Sequence, residues 1–140
     1  MGADRESPVG IRLWPQSYAV ARLREVPTAL PGSRAQGPPV ALIVGHDEVS
    51  LLAPEEMVQG LAGSVEHVSG GWRALTVEAV FPLTTVGFLS AVSRALADVS
   101  VPVMVFSSHD TDHFLVPSEH LGRALAALNQ VRLDRFIPGT

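Results

Sequence analysis

Cysteine and lysine are both absent from this chain, and its 10 basic residues are all arginine. Without cysteine there is no disulfide framework, no thiolate nucleophile and no thiolate metal ligand. The all-arginine basic set, beside abundant Ala, Gly, Pro and Val, reads as the mark of a GC-rich genome and not as a functional choice. Basic residues are outnumbered by 14 acidic ones, giving a formal charge of −4. That balance argues against nucleic acid as the main partner, because phosphate binding needs a basic surface. No apolar run approaches the ~20 residues that span a bilayer, and the first ten residues lack a signal-peptide core. The expected location is therefore cytoplasmic. What remains is a chain of 140 residues, 46% hydrophobic and 17% charged, enough for one ordinary domain or two small ones.

Within that composition the sequence repeats itself. His46-Asp47, Leu51-Leu52-Ala53-Pro54 and Glu56 return as His109-Asp110, Phe114-Leu115-Val116-Pro117 and Glu119, each offset by 63 positions. Apolar runs precede both copies, at 40–44 and 101–106. A fixed internal period marks a supersecondary unit used more than once. Here the unit reads as strand, tight turn, strand, proline and helix.

The first ten residues read as a frayed terminus. Residues 11–23 read as a strand with Pro15 at its edge or start. Four prolines and two glycines between 25 and 39 exclude a helix there. Strands follow at 40–44 and 49–53 around the turn 45–48. Pro54 then suits a first helical position, and Glu55 and Glu56 suit the positive helix end. A short strand is expected at 64–68, with Ser69-Gly70-Gly71 as the boundary between halves. Beyond it, 72–81 alternates as a strand. Residues 87–98 carry Leu89, Val92 and Leu96 at helical spacing, capped by Thr84 or Thr85. Residues 101–106 are apolar on both faces and read as a central strand. A returning strand at 112–116 leads to a helix capped by Ser118, with Leu121, Ala124, Leu125 and Leu128 on one face. A final strand or ordered tail is expected at 132–137. The order in the second half is βαββαβ, the plan of a ferredoxin-like module. The first half shares it, except that proline-rich loop replaces its first helix.

The segments Trp72-Arg73-Ala74-Leu75-Thr76-Val77, Thr85-Val86-Gly87-Phe88 and Ser107-Ser108-His109-Asp110-Thr111-Asp112-His113-Phe114-Leu115-Val116 resemble the tandem ACT-domain family. That family includes the ACT pairs of the CASTOR arginine sensors and resembles the regulatory domains of aspartate kinases. Residues 49–56 are similar to the hairpin-to-helix step of the family's first module. The likeness spans roughly residues 11–130, with His113 standing where relatives usually carry Tyr or Phe. It implies an α+β fold of two tandem ferredoxin-like ACT modules at 11–69 and 70–137, the first lacking its first helix. It further implies a small-molecule sensor that is not an enzyme and needs no cofactor, with an amino acid held at an ACT–ACT interface.

The residues named by that likeness have suitable chemistry. A helix start presents unpaired N–H groups and a dipole that favours an anion. Thr85, Val86, Gly87 and Phe88 would thus suit an α-carboxylate. Asp110 and Asp112 would accept an ammonium group, and Ser107, Ser108 and Thr111 add hydroxyls. Other readings stand beside this one. The threonines would equally serve as ordinary caps, and the aspartates as turn residues bonded to their own backbone. His109, Asp110, Asp112 and His113 are metal-ligand types, but four strand residues span about 13 Å, too far for one ion unless the turn folds back. His beside Asp is acid–base material, yet no nucleophile elbow, phosphate loop or cofactor fingerprint accompanies it. A ligand-free interaction or oligomerisation module is the main alternative. The expected assembly is a homodimer that signals through an unnamed effector protein, with neither nucleic acid nor membrane as partner.

Overall fold

The structure, a computed structural model, describes residues 10–137. Of the frayed terminus expected at 1–10, residues 1–9 lie outside them, and Gly10 is instead the first residue of a strand. The elements are β1 (Gly10–Leu23), β2 (Ala41–Val44), β3 (Val49–Pro54), α1 (Glu55–Gly60), β4 (Val65–Glu78), α2 (Phe88–Asp98), β5 (Met104–Ser107), β6 (Asp112–Pro117) and α3 (Leu121–Asn129). Short 3-10 turns fill 62–64, 118–120 and 133–136.

The chain divides into two compact units. One is contiguous, Trp14–Ala74. The other joins the described residues up to Leu13 with those from Leu75 onward. Both β1 and β4 therefore give one part to each unit. The expected division at 69/70 falls five residues before the second crossing, and the crossing inside β1 had no sequence signal.

In the 14–74 unit the strand order is β2-β3-β1-β4. The β1–β3 ladder is antiparallel, from Tyr18 opposite Pro54 to Leu23 opposite Val49. Pro15 lies before that ladder begins, so its missing N–H costs the ladder nothing. Ala19, Ala21, Leu23, Leu51, Ala53, Met57 and Val58 form the core. No helix occurs between Leu23 and Ala41. This proline-rich stretch is instead tied down by Tyr18, whose hydroxyl donates to the Pro39 carbonyl at 2.6 Å. Tyr18 is fully buried, and that burial pushes its pKa well above the usual phenol range.

In the other unit the order is β1-β4-β6-β5, with Gly10–Leu13 as the part of β1 involved. Its core is built from Leu75 and Val77 of β4, Phe88, Val92 and Leu96 of α2, Phe114 and Val116 of β6, and Ala124 and Leu128 of α3. Numbered from Leu75, the strands lie in the same spatial order as those of the 14–74 unit. The fourth strand, however, comes from the start of the chain. Arg12 and Glu78 pair across this junction at 2.7 Å.

Several sequence expectations are corrected. Of the strand or ordered tail expected at 132–137, the strand does not form: the segment holds a 3-10 turn at Leu133–Phe136, and the strand's place in the unit is taken by 10–13. Ser69-Gly70-Gly71 is not a break: β4 runs through it, and the Gly71 N–H donates to Glu55 Oε1 at 2.9 Å. The apolar run 101–106 is not a central strand, since only 104–107 pair and they lie at the unit's edge. Neither Thr84 nor Thr85 caps α2, and Ser118 makes no capping bond. Last, Leu89 faces outward while Phe88 takes its place in the core.

The repeated sequence corresponds to a repeated structure. In the first copy Val44 pairs with Val49, and the Gly45 N–H donates to the Glu48 carbonyl at 2.8 Å. In the second, Ser107 pairs with Asp112, and the Ser108 N–H donates to the Thr111 carbonyl at 2.9 Å. Each hairpin thus has a two-residue tip, His46-Asp47 or His109-Asp110. Each returning strand ends in a proline with extended ψ that turns the chain into helix (141° at Pro54, 137° at Pro117).

Candidate functional site

The β5–β6 tip faces the start of α2 across a cleft of about 400 Å³ within the 75–137 unit. The cleft has two walls. One is the loop 81–87 and the first turn of α2. The other is the hairpin end 107–112.

Gly87 shapes the first wall. It precedes α2 with φ 93° and ψ −9°, a left-handed conformation that costs a side-chain-bearing residue. The first intrahelical bond is donated by Ala91 to the Gly87 carbonyl at 3.0 Å. The N–H groups of Phe88, Leu89 and Ser90 therefore have no partner within the helix. No side chain caps this end, and its first turn has no acidic residue, so its dipole is uncompensated by the helix itself. Thr85 is occupied elsewhere: both its N–H and its hydroxyl donate to the Pro82 carbonyl, at 3.0 and 2.7 Å. With both groups held by Pro82, Thr85 does not cap the helix, and Gly87 occupies the N-cap position. The Phe88 ring anchors the helix start from below, 4.5 Å from Phe81, 6.3 Å from Phe114 and 5.7 Å from Phe136 between centroids.

The second wall is held by its own hydrogen bonds. Thr111 Oγ1 donates to the Val77 carbonyl at 2.7 Å. The Phe81 N–H donates to the Asp110 carbonyl at 2.8 Å, linking the two walls at their base. Ser107 Oγ donates to Asp112 Oδ1, leaving Asp112 Oδ2 open. His109 Nδ1 lies 2.8 Å from Asp110 Oδ1 at the exposed tip.

Behind the cleft lies His113, the one buried polar or charged residue among the described residues, 9% exposed. Its Nδ1 is 2.8 Å from Thr76 Oγ1, and its Nε2 is 3.1 Å from Ser108 Oγ. The ring stacks on Phe106 at 5.0 Å. Ser108 Oγ also donates to the Thr111 carbonyl, so it accepts from Nε2–H, and Nδ1 accepts from Thr76. Burial lowers the His113 pKa, and the charge of neighbouring Asp112 opposes that only in part. The imidazole is neutral at pH 7.

Of the residues singled out from sequence, Thr85, Gly87, Phe88, Ser107, Ser108, Asp110, Thr111 and Asp112 all line the cleft. Val86 does not. It is 87% exposed and lies on a shallow groove with Arg135, Phe136 and Ile137. Sequence reasoning missed Phe81, Pro82, Leu83, Leu89, Ser90 and His109, which also line the cleft. His109 had a signal, since it belongs to the repeated tip. The others follow from the Gly87 geometry, which no local pattern announces. Among the described residues no three metal-ligand side chains converge. No helix among them is long and apolar enough to cross a membrane.

One end of the cleft is thus an unneutralised helix N-terminus and the other a pair of carboxylates. At this point sequence and structure comparisons agree. Residues 67–130 match the sequence model of the ACT domain family. The α+β fold with antiparallel sheet is the fold expected. Two solved structures resemble nearly the whole chain. A protein of Agrobacterium tumefaciens shares 25% identity at a TM-score of 0.70, covering 86% of each chain. A Vibrio cholerae protein, described as a possible transport protein of unknown function, shares 22% at 0.69, covering 86% of this chain and 88% of its own. The ligand-free regulatory subunit of Thermus thermophilus aspartate kinase has the same fold, at 16% identity and a TM-score of 0.59, covering 89% and 98%. Among curated proteins nothing matches.

Proposed function

We infer that this chain is a regulatory amino-acid sensor built from two ACT-like modules, near 11–69 and 70–137, with the 10–13 strand joining the second. The observation that carries this reading is the polarity of the cleft. The free amides at the start of α2 suit a carboxylate, and Asp112 with Asp110 suits an ammonium group across from it. A zwitterion satisfies both ends at once. The cleft volume falls in the range of small-molecule sites; Phe88 borders it from the core, and His113 is not part of its lining.

The cleft is open on one side, and its rim carries exposed apolar side chains, Leu83 and Leu89. An ACT module of a second copy closing over that rim would complete an ACT–ACT interface and make the protein a homodimer. Ligand binding would then favour one arrangement of the dimer over another, which an effector protein reads by differential affinity. The reading includes a cytoplasmic location and no catalysis.

Thermal-shift measurement against the twenty amino acids tests this function. A ligand at 100 times its dissociation constant stabilises the fold by about 2.7 kcal/mol. A selective rise in Tm that disappears in Asp112→Ala is the expected outcome. No rise with any amino acid, in folded protein, would replace the sensor by a ligand-free interaction module.

A further inference from the structure

A second pocket, also about 400 Å³, lies wholly within the 14–74 unit, where the proline-rich loop stands in place of a helix. Its walls are apolar, from Pro31, Pro38, Pro54 and Met57. Three polar side chains share that lining: Gln16, Arg34 and Glu56.

Among the described residues none of the three side chains finds a partner, although Arg34 and Glu56 also reach solvent. Gln16 Oε1 is buried and has no hydrogen-bond partner. Buried polar atoms are nearly always partnered, so an orphan oxygen beside a cavity points to a missing donor. Arg34 and Glu56 lie around the same pocket yet form no ion pair with each other or with any other described residue. A cation, an anion and an acceptor left open around apolar walls match a small molecule that carries the complementary set.

The loop geometry positions the cation. The Gly37 N–H donates to the Arg34 carbonyl at 3.0 Å, closing a turn. The Arg34 side chain then lies against Gly37 so closely that a Cβ there would meet Arg34 Cγ at 2.8 Å. Glycine at 37 is what lets the guanidinium take this path. Tyr18 holds the far end of the loop at Pro39.

We propose that this pocket is a second ligand site, for a zwitterion with an apolar side chain. The ligand's carboxylate faces Arg34, its ammonium donates to Glu56 and Gln16 Oε1, and its side chain rests on the prolines and Met57. The site is separate from the cleft at α2 and does not depend on the reading given to it.

The test is an NMR titration of the full chain with L-leucine, L-methionine and L-phenylalanine, following the Gln16 carboxamide, the Met57 methyl and the Gly32 amide. It is run in wild type and in Asp112→Ala, which disables only the cleft. Saturable shifts of these three probes in both proteins are the expected result. Arg34→Ala weakens the affinity by about tenfold or more, Arg34→Lys recovers part of it, and Gly37→Ala weakens it with no change of charge. Circular dichroism confirms that each variant is folded. Probes that stay still with all three amino acids overturn the proposal. So do shifts that Arg34→Ala leaves unaltered, or that vanish in Asp112→Ala, which would trace them to the cleft. A result in which only the cleft binds removes this site and leaves the sensor reading intact.

Discussion

Two residues beside the cleft, Gly87 and His113, show how single side chains set its properties. Any side chain at 87 must adopt φ 93°, and its Cβ would also touch Phe136 Cε1 at 3.4 Å. Gly87→Ala is expected to cost about 1 to 2 kcal/mol of stability, from the left-handed conformation alone. It should also weaken ligand affinity by displacing the amides of the first turn, and denaturant unfolding with calorimetry would read both. His113 makes the fold pH-sensitive. Its pKa is lowered in the folded protein from 6.5, so below that value the unfolded chain takes up the proton first. Stability is complete above pH 6.5 and falls as the pH drops through the range down to the folded value. Tm measured between pH 7.5 and 5 should therefore decline more steeply for wild type than for His113→Phe. A slope unchanged by the substitution would assign the acid sensitivity to another group. The sequence made the candidate residue types legible here, because Thr, Ser, Asp and Gly advertise turns and caps. It did not reveal that Thr85 spends its hydroxyl on Pro82, or that Val86 turns away, because both depend on the backbone at Gly87.

At the scale of elements, the sequence was most legible where one helix face meets one core. Of the expected positions 89, 92 and 96, Val92 and Leu96 are buried, and Phe88 replaces Leu89 as the third buried side chain of α2. Leu96 is fully buried, so Leu96→Ala should cost about 2 to 5 kcal/mol, measured by urea denaturation. Had α2 been an accessory helix, the cost would stay well below that range. The strands were harder. An apolar run reads as a buried strand, yet β2 and β5 lie at the edges of their units, with Ile43, Val44 and Val105 exposed. Local periodicity reports the character of a strand and not its neighbours. Turn chemistry fared better: both hairpin tips fell where His-Asp marked them.

The whole molecule is where sequence reading had least to work with. Dividing the chain at the glycines near 70 leaves a second segment that looks complete by itself, since it ends in residues that read as a strand or ordered tail. The structure instead recruits 10–13, which pairs with residues more than sixty positions later, as Arg12 and Glu78 show. Pairings this distant leave no local trace. The expected consequence is that deleting the first 13 residues destabilises the 75–137 unit. Hydrogen exchange at Leu75 and Val77 would rise far more than at Leu51 and Ala53. Equal protection before and after deletion would mean that the strand is ornamental.

That borrowed strand also orders events in time. On the ribosome, residues 10–13 emerge long before Glu78, α2 and β6 exist to receive them. The contiguous 14–74 unit has all its strands in hand while the other is still being made. Strand 10–13 cannot pair until residues more than sixty positions later have been made, and closing so long a loop is slow. Until then the nascent chain carries a short unpaired strand, with Ile11 uncovered, and any refolding phase sensitive to Arg12→Ala would mark the moment of its capture.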